Sequence, residues 1–199
     1  GITHAFGVPG ESYLAVLDGF HAHRDKIRFV INRQEGGAAY MADAQARVTG
    51  RPGVCFVTRG PGATNASIGL HTGFQDSTPM ILLVGQVARE TTDREAFQEI
   101  DYRRMYGQMA KWVTQIDRAD RMPEYIARAF QIATSGRPGP VVLDVYGGYK
   151  GNLNEALAFD VGGLAYQYVG NTLNTVPGAV NANTFELYVA LSSGAFTAK

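Results

Sequence analysis

The chain has 199 residues, and 45% of them are hydrophobic, which is enough for a sizeable core in one ordinary domain. Its 18 basic and 18 acidic residues give a formal net charge of zero, which excludes the basic field that holds nucleic acid or an anionic membrane surface. The single cysteine, Cys55, excludes a disulfide or a cysteine-based metal site within the chain.

The chain begins with an apolar run, Ile2–Val8, that predicts a strand. Pro9-Gly10-Glu11 then predicts a turn and the start of an amphipathic helix. His21 and His23 lie near the end of that helix, but no His, Cys or carboxylate at a supporting spacing accompanies them, so we predict no metal site. No run of eighteen apolar residues and no basic-then-apolar leader is present, which favours a cytoplasmic protein.

A helix connects the next two predicted strands, Ile27–Asn32 and Val54–Thr58. Asn32 is a suitable N-cap, Glu35 would lie in the first turn, and Gly50 would end the helix. Such a strand-helix-strand unit predicts a parallel sheet, and ligands of open α/β sheets bind at the carboxyl ends of the strands. Glu35 is therefore either a binding-site carboxylate or a first-turn acid that only complements the helix dipole.

A glycine-rich segment, Gly60–Asn65, follows the strand that ends at Thr58 and precedes a predicted helix through Leu70. By itself it predicts either a tight strand-to-helix turn or a weak phosphate loop, because it lacks the Gly-Lys-Ser/Thr of a P-loop. The next predicted strand, Met80–Val84, leads to Gln86, whose side chain would lie at the same sheet edge and face a substrate.

The remaining elements complete an α/β fold. Trp112–Ile116 and Val141–Leu143 are predicted strands, and Asp120–Ala133 is a predicted helix with one apolar face. Together with the four earlier strands, they predict a six-strand parallel sheet with helices on both faces.

The composition changes after about Val145, which predicts a boundary between residues 1–145 and 146–199. All of the arginines precede Pro138, whereas the later part is rich in Tyr, Asn, Gly and Thr. Alternating apolar and polar residues around Phe159 and over Phe185–Leu191 predict antiparallel hairpins in a β-rich or partly disordered tail. The tail weakly resembles small β proteins of the bacterial outer envelope, and it is either a fused, unrelated segment or a partly ordered extension.

The segment around Glu35, RQEGGAAYMADAQARVTGRPGV, resembles the glutamate segment of the pyrimidine-binding domain in thiamine-diphosphate enzymes of the acetolactate synthase group. Gln34 replaces the histidine and Gly36 the glutamine of the family's His-Glu-Gln-Gly-Ala, while the interval from Glu35 to Asp43 is kept. Further matching segments follow in family order: Val8–Gly10, Thr58–Ala66, Gln75–Val87, Ala96–Asp101, Lys111 and Arg137–Val145. The resemblance covers nearly everything from Gly1 to about Val145.

The resemblance implies a role for thirteen positions around a bound thiamine diphosphate. Glu35 would be catalytic, because in this family the glutamate activates the cofactor through N1′ of its pyrimidine ring. The residues implied to contact the cofactor are Val8, Pro9, Gly10, Glu35, Thr58, Gly60, Pro61, Gly62 and Asn65, and those implied on the substrate side are Gln75, Gln86, Phe97 and Lys111.

The resemblance also implies a partner. In this family the diphosphate is held through Mg2+ by a Gly-Asp-Gly motif, whereas the only Asp-Gly here, Asp18-Gly19, is preceded by Leu17. We therefore expect no metal ligands in this chain, and a half-site that the diphosphate-binding domain of a neighbouring subunit completes in a homo-oligomer. Whether the chain is itself an active enzyme is left open.

Three hypotheses about function follow. The favoured one is the thiamine-diphosphate half-site of a lyase or transferase that acts on 2-oxo acids. The second is a nucleotide-binding α/β module in which Gly60–Asn65 is a phosphate loop, although the Lys-Ser/Thr is missing. The third is an inactive fusion fragment whose β tail binds a partner.

Overall fold

A computed structural model of the chain describes residues 2–146, 151–154, 157–166, 184–193 and 196–198. The contacts of the backbone divide the chain into two compact units, residues 1–148 and residues 149–199. The first unit alternates strands and helices, and the second contains strands alone among its described residues.

Among its described residues, the first unit has six strands and five α-helices. In chain order they are β1 (His4–Gly7), α1 (Leu14–Ala22), β2 (Arg28–Ile31), α2 (Glu35–Thr49), β3 (Gly53–Thr58), α3 (Arg59–Gln75), β4 (Met80–Gln86), α4 (Tyr102–Tyr106), β5 (Trp112–Ile116), α5 (Met122–Thr134) and β6 (Pro140–Tyr146). Short 3-10 turns occupy Glu11–Tyr13, Arg89–Thr91 and Ala119–Arg121.

The six strands form one sheet in the order β2-β1-β3-β4-β6-β5, and every pairing is parallel. The predicted six-strand parallel sheet is therefore confirmed. All seven residues of β4 are buried, because a central strand of a parallel sheet is covered on both faces.

Helices cover both faces of this sheet, as the sequence predicts. One core lies under α2, α3 and α4 and includes Cys55, Val57 and Val142. The other lies under α1 and α5 and includes Phe56 and Leu143. Neighbouring residues of one strand thus enter opposite cores, because side chains alternate between the two faces of a strand.

Helix α2 begins two residues later than the sequence predicts. Asn32 is not its N-cap: Gln34 takes that position with an extended backbone, and its side-chain Oε1 accepts a hydrogen bond of 3.0 Å from the N–H of Gly37. The predicted N-cap is therefore wrong, whereas Glu35, the first helical residue, lies in the first turn as predicted. Gly50 ends the helix in the left-handed conformation, with φ of +67°, as predicted.

Helix α3 also differs from its predicted start. It begins at Arg59, immediately after β3, so Gly60–Asn65 form the first turns of the helix and not the loop that the sequence predicts. Pro61 fits there because a helix uses no backbone N–H donor in its first turn.

Small residues bring α2 and α3 into close contact. A Cβ atom on Gly69 of α3 would lie 2.6 Å from Cβ of Ala39, and one on Gly36 of α2 would lie 3.2 Å from the carbonyl oxygen of Asn65. Because neither glycine carries a side chain, the two helices pack backbone against backbone. Their first turns are therefore neighbours above the carboxyl ends of β2, β1 and β3.

The second unit contains the strands β7 (Gly151–Asn154), β8 (Leu157–Tyr166), β9 (Thr184–Ser193) and β10 (Phe196–Ala198). They form an antiparallel sheet in the order β10-β9-β8-β7, in agreement with the predicted antiparallel hairpins. The segment between β8 and β9, residues 167–183, lies outside the described residues. Of the helices that the structure describes, none has both the length and the hydrophobicity that a membrane span requires.

Candidate functional site

The candidate site lies where the segments after β1, β2 and β3 meet at the carboxyl edge of the sheet. These strands are neighbours in the order β2-β1-β3, so the residues that follow them are brought together. Val8, Pro9 and Gly10 follow β1, Glu35 follows β2, and Gly60, Pro61 and Gly62 follow β3 in the first turn of α3. The structure thus gathers the predicted cofactor-contacting residues at one edge.

Glu35 is the carboxylate of this site. It is the first residue of α2 and is half-buried. Its Oε2 accepts a hydrogen bond of 2.9 Å from the side-chain amide of Asn65, which is the seventh residue of α3. Among the described residues, no hydrogen bond reaches Oε1 of Glu35, so this oxygen can accept or share a proton with a ligand.

Glycine keeps the space in front of this carboxylate open. A Cβ atom on Gly62 would lie 3.5 Å from Oε1 of Glu35 and 3.3 Å from Cβ of Val57, so any longer side chain at this position would occupy the cleft. The requirement for glycine is stricter at Gly10, because a Cβ atom there would lie 1.6 Å from Oγ1 of Thr58. The segment after β1 therefore touches the end of β3 directly.

Two hydroxyl groups hold the floor of the site. The Ser12 hydroxyl donates a hydrogen bond of 3.2 Å to Oγ1 of Thr58, and the Tyr13 hydroxyl donates to the carbonyl oxygen of Val8. Burial raises the pKa of Tyr13, with smaller contributions from its neighbours Cys55 and Glu35. Burial raises the pKa of Cys55 as well, with a smaller contribution from Glu35. Both groups therefore stay protonated beside the carboxylate.

The segment 96–100 borders the site next to α3. The carbonyl oxygen of Gln98, a residue with φ of +67°, accepts a hydrogen bond of 3.0 Å from the N–H of Gly60. A Cβ atom on Gly60 would lie 2.8 Å from Cδ1 of Ile100, so the segment packs tightly on the start of α3. Phe97, predicted on the substrate side, is 71% exposed. Its ring is therefore free to contact a ligand or another chain.

Three of the predicted substrate-side residues are not brought to an open cleft. Gln86 is only 4% exposed, and its side-chain amide donates to the carbonyl oxygen of Ile100 at 3.1 Å and to Oδ2 of Asp144 at 3.3 Å. Its side chain is thus used inside the protein, and the prediction that it faces a substrate is corrected. Gln75 ends α3 and Lys111 immediately precedes β5, so both lie at the amino edge of the sheet, opposite Glu35.

Lys111 has a structural use at that amino edge. Its ammonium group donates hydrogen bonds to the carbonyl oxygens of Ile132 and Ser135 at the end of α5. These carbonyl groups have no partner within the helix, so a cation satisfies them and complements the helix dipole. Lys111 is therefore a cap for α5 within this unit.

Sequence reasoning missed Arg59, which lies at the junction of β3 and α3. Its guanidinium group forms an ion pair of 3.3 Å with Glu11, and its buried Nε has no hydrogen-bond partner among the described residues. The signal was an arginine directly after a buried strand, at the edge where ligands bind. Arg59 adds a positive charge next to the glycines of this site.

The polar groups and the open space of this site suit a flat heteroaromatic ring with a basic nitrogen. A half-buried carboxylate oriented by an amide stands over glycines that leave room for such a ring. No group of three or more His, Cys, Asp or Glu side chains that could hold a metal ion occurs in the described part of the chain. The site therefore supplies a carboxylate and an apolar face, without a metal cluster among the described residues.

Two family models match the chain. Residues 1–105 match the N-terminal TPP binding domain of thiamine pyrophosphate enzymes, thiamine pyrophosphate (TPP) being another name for thiamine diphosphate. Residues 90–199 match a family described as a bacterial protein of unknown function (Gcw_chp). The two matches overlap over residues 90–105.

Several acetolactate synthases are similar to the first unit. The chain is 43% identical over 144 residues to the mitochondrial acetolactate synthase catalytic subunit of Saccharomyces cerevisiae, a match that covers 72% of the chain and 21% of that protein. It is 40% identical over 145 residues to the large subunit of Haemophilus influenzae and 41% identical over 145 residues to the isozyme 3 large subunit of Escherichia coli. Each of these two matches covers 73% of the chain and 25% of the relative. The chain thus spans about a quarter or less of the length of these curated relatives.

Proposed function

Because the chain belongs to the thiamine pyrophosphate enzymes through its N-terminal TPP binding domain, we propose that residues 1–145 form the pyrimidine side of a thiamine-diphosphate site. In this site Glu35 activates the cofactor by sharing a proton with N1′ of the pyrimidine ring. The observation that supports the proposal best is the carboxylate of Glu35, half-buried at the carboxyl edge of the sheet with one oxygen held by Asn65.

The amide of Asn65 orients the carboxylate. It donates to Oε2 of Glu35 and so leaves Oε1 for the ring nitrogen. A carboxylate fixed by a second group loses less side-chain entropy when it binds a ligand, which favours a defined proton position. Asn65 therefore acts through Glu35 and is a positioning residue.

The glycines of α3 leave space for the pyrimidine ring of the cofactor. Gly62 leaves Oε1 of Glu35 accessible, and Gly60 allows the segment 96–100 to close over the start of the helix. The chemistry that thiamine diphosphate supplies when bound is attack through its thiazolium C2 on a 2-oxo acid.

The proposal gives the chain half of a site in a lyase or transferase of the acetolactate synthase type. The diphosphate and Mg2+ would be held by a diphosphate-binding domain of a neighbouring subunit, in a homo-oligomer. Phe97, exposed at the edge of the site, would face the substrate. Alone, the chain is expected to bind thiamine diphosphate weakly, with Kd of about 1 mM, and to turn over no substrate.

Amide NMR of the labelled full chain tests the role of Glu35. Adding thiamine diphosphate should shift the backbone signals of Gly36 and Gly62 and the side-chain amide signal of Asn65. Glu35→Gln should markedly reduce these shifts, because an amide can hydrogen-bond to the ring nitrogen but cannot exchange a proton with it. Glu124→Gln is the matched control: Glu124 lies in the first turn of α5, exposed to solvent, and its loss should leave the shifts unchanged.

Two results would contradict the proposal. Equal shifts in the Glu35→Gln variant and the unchanged protein would remove Glu35 from the site. Tight binding that requires Mg2+ would show that the chain holds the diphosphate itself and is more than a half-site.

A further inference from the structure

A second cleft lies at the other end of the same sheet edge, above β5 and β6. Its volume is about 540 Å3, within the range of about 300 to 1,000 Å3 that small-molecule sites occupy. Its lining includes three arginines, Arg89, Arg103 and Arg121, and one carboxylate, Asp117. None of these residues belongs to the thiamine-diphosphate site proposed above, which lies at the ends of β1, β2 and β3. The cleft is therefore separate from that site.

Two of the three arginines, Arg89 and Arg103, have charges that no carboxylate neutralises among the described residues. Arg121 forms an ion pair of 2.8 Å with Glu124, which weakens its electrostatic attraction for an anionic ligand. Arg89 and Arg103 form no ion pair with a carboxylate in the described part of the chain. Two unpaired guanidinium groups at one concave surface attract a ligand with two negative charges.

The floor of the cleft is a network of polar groups from three segments. Arg103 of α4 donates to Oε1 of Gln115 in β5, and the side-chain amide of Gln115 donates to the hydroxyl of Tyr146 at the end of β6. Thr92 also donates to this hydroxyl, at 3.2 Å. Because the hydroxyl oxygen of Tyr146 accepts both bonds, its own O–H remains free to donate to a ligand.

We propose that this cleft binds a small organic dianion, either a phosphate monoester or a dicarboxylate, between Arg89 and Arg103. Guanidinium groups bind both carboxylate and phosphate through paired hydrogen bonds, and the hydroxyl of Tyr146 adds a third donor. Asp117 at the same cleft provides an acceptor for a hydroxyl or ammonium group elsewhere on the ligand. The proposal goes beyond the thiamine-diphosphate site and does not depend on it.

The protein carries its own reporter for this cleft. Trp112 is the only tryptophan, and its ring stacks on that of Tyr125 with centroids 6.1 Å apart and planes 5° apart. Tyr125 lines the cleft. A ligand that enters the cleft should therefore change the fluorescence of Trp112.

The test is a fluorescence titration of the full chain with three probes: inorganic phosphate, glycerol 3-phosphate and succinate. Ionic strength is held constant with sodium chloride, so that general screening does not change during the titration. We expect a saturable response to at least one probe with Kd of about 1 mM or below. A response to the phosphates alone assigns the phosphate monoester, and a response to succinate alone assigns the dicarboxylate.

Charge-neutral variants make the test specific. Arg103→Gln and Arg89→Gln should each weaken binding about tenfold or more, because each removes a charge-assisted contact. Arg24→Gln, a matched exposed arginine outside the cleft lining, should bind as the unchanged protein does. If Arg103→Gln fails to fold because its contact with Gln115 is lost, Arg89→Gln still decides, since Arg89 is exposed. No saturable response to any probe, or equal binding by Arg89→Gln and the unchanged protein, overturns the proposal.

Discussion

Asp144 is a carboxyl group buried near the end of β6, only 4% exposed. Its Oδ2 accepts one hydrogen bond from Gln86, and its Oδ1 has no partner among the described residues. Burial raises the pKa of Asp144 to about 7, despite the opposing effects of the Gln86 hydrogen bond and the charge of Arg103. A carboxyl group buried in this way holds its proton in the folded protein at pH values where the unfolded chain has lost it.

This difference predicts that stability falls as pH rises. The folded protein binds one more proton than the unfolded chain between pH 3.8, the ordinary value, and about pH 7. The contribution of Asp144 is thus fully present below pH 3.8 and is lost as pH rises to about 7, by up to about 4 kcal/mol. Asp144→Asn should flatten this dependence and be the more stable protein at pH 8. Urea unfolding at pH 5 and pH 8 measures both effects.

Asp120→Asn is the matched control for this prediction. Asp120 is exposed, and its hydrogen bond with Arg118 lowers its pKa, so it is ionised at both pH values. The variant should keep the difference in stability between pH 5 and pH 8. Parallel pH dependence in Asp144→Asn and the unchanged protein would contradict the role given to Asp144.

Single residues also show where sequence reasoning succeeded and where it stopped. The apolar pattern predicted that Glu35 and the segment Gly60–Asn65 follow buried strands, whereas a role for Asn65 at the cofactor was implied by the family resemblance alone. The roles of Gln86 and Lys111 were not predicted correctly, because these roles depend on partners far along the chain. Gln86 bonds to Asp144, 58 residues away, and Lys111 bonds to the end of α5. A local pattern does not reveal which distant group a polar side chain will meet.

At the scale of elements, the contact between α2 and α3 positions the candidate site. The two adjacent glycines at the start of α2 differ in what surrounds them. A Cβ atom on Gly36 would lie 2.8 Å from Oε1 of Gln34 and 3.2 Å from Cγ2 of Ile68, whereas a Cβ atom on Gly37 would have nothing within 4 Å. Only Gly36 is therefore required by packing.

Alanine substitutions at the two glycines should have opposite effects on stability. Gly36→Ala should lower the free energy of unfolding by about 1 to 3 kcal/mol, because it displaces the Gln34 cap and separates the helices. Gly37→Ala should raise it by about 0.5 kcal/mol, because alanine favours helix over glycine. Urea unfolding followed by circular dichroism measures both. Equal stability of the two variants would show that the close packing of α2 on α3 does not constrain Gly36.

The strands were predictable from the sequence, and the starts of two helices were not. Strands alternate with helices at a regular spacing, and buried apolar runs mark each one. At α2 the long side chain of Gln34 caps the helix, a role that residue preferences assign to the shorter Asn32. At α3 the Gly-Pro-Gly sequence suggests a turn, yet proline is equally compatible with the first turn of a helix.

At the scale of the whole molecule, the chain joins two units of different composition. The arginines all precede Pro138, and the backbone contacts separate residues 1–148 from residues 149–199. The family matches divide at a different place, since the second model begins at residue 90, inside the first unit. We propose that the boundary predicted near Val145 separates two domains that fold independently.

Removing residues 149–199 tests this independence. The shortened chain should unfold in urea with the same midpoint as the full chain when Trp112 fluorescence is followed, because Trp112 lies in β5 of the first unit. Loss of more than about 2 kcal/mol of stability would mean that the second unit supports the first. An unfolded shortened chain would contradict the proposal outright.

Cys55 sits in the middle of the central sheet, with none of its surface exposed, and it is the only thiol in the chain. A sulfhydryl reagent such as a maleimide cannot reach it while β3 stays paired with both of its neighbours. The rate at which the native protein is alkylated therefore measures how often this sheet opens. The rate of Cys55 alkylation, followed by mass spectrometry, thus reports on unfolding of this sheet without any added label site.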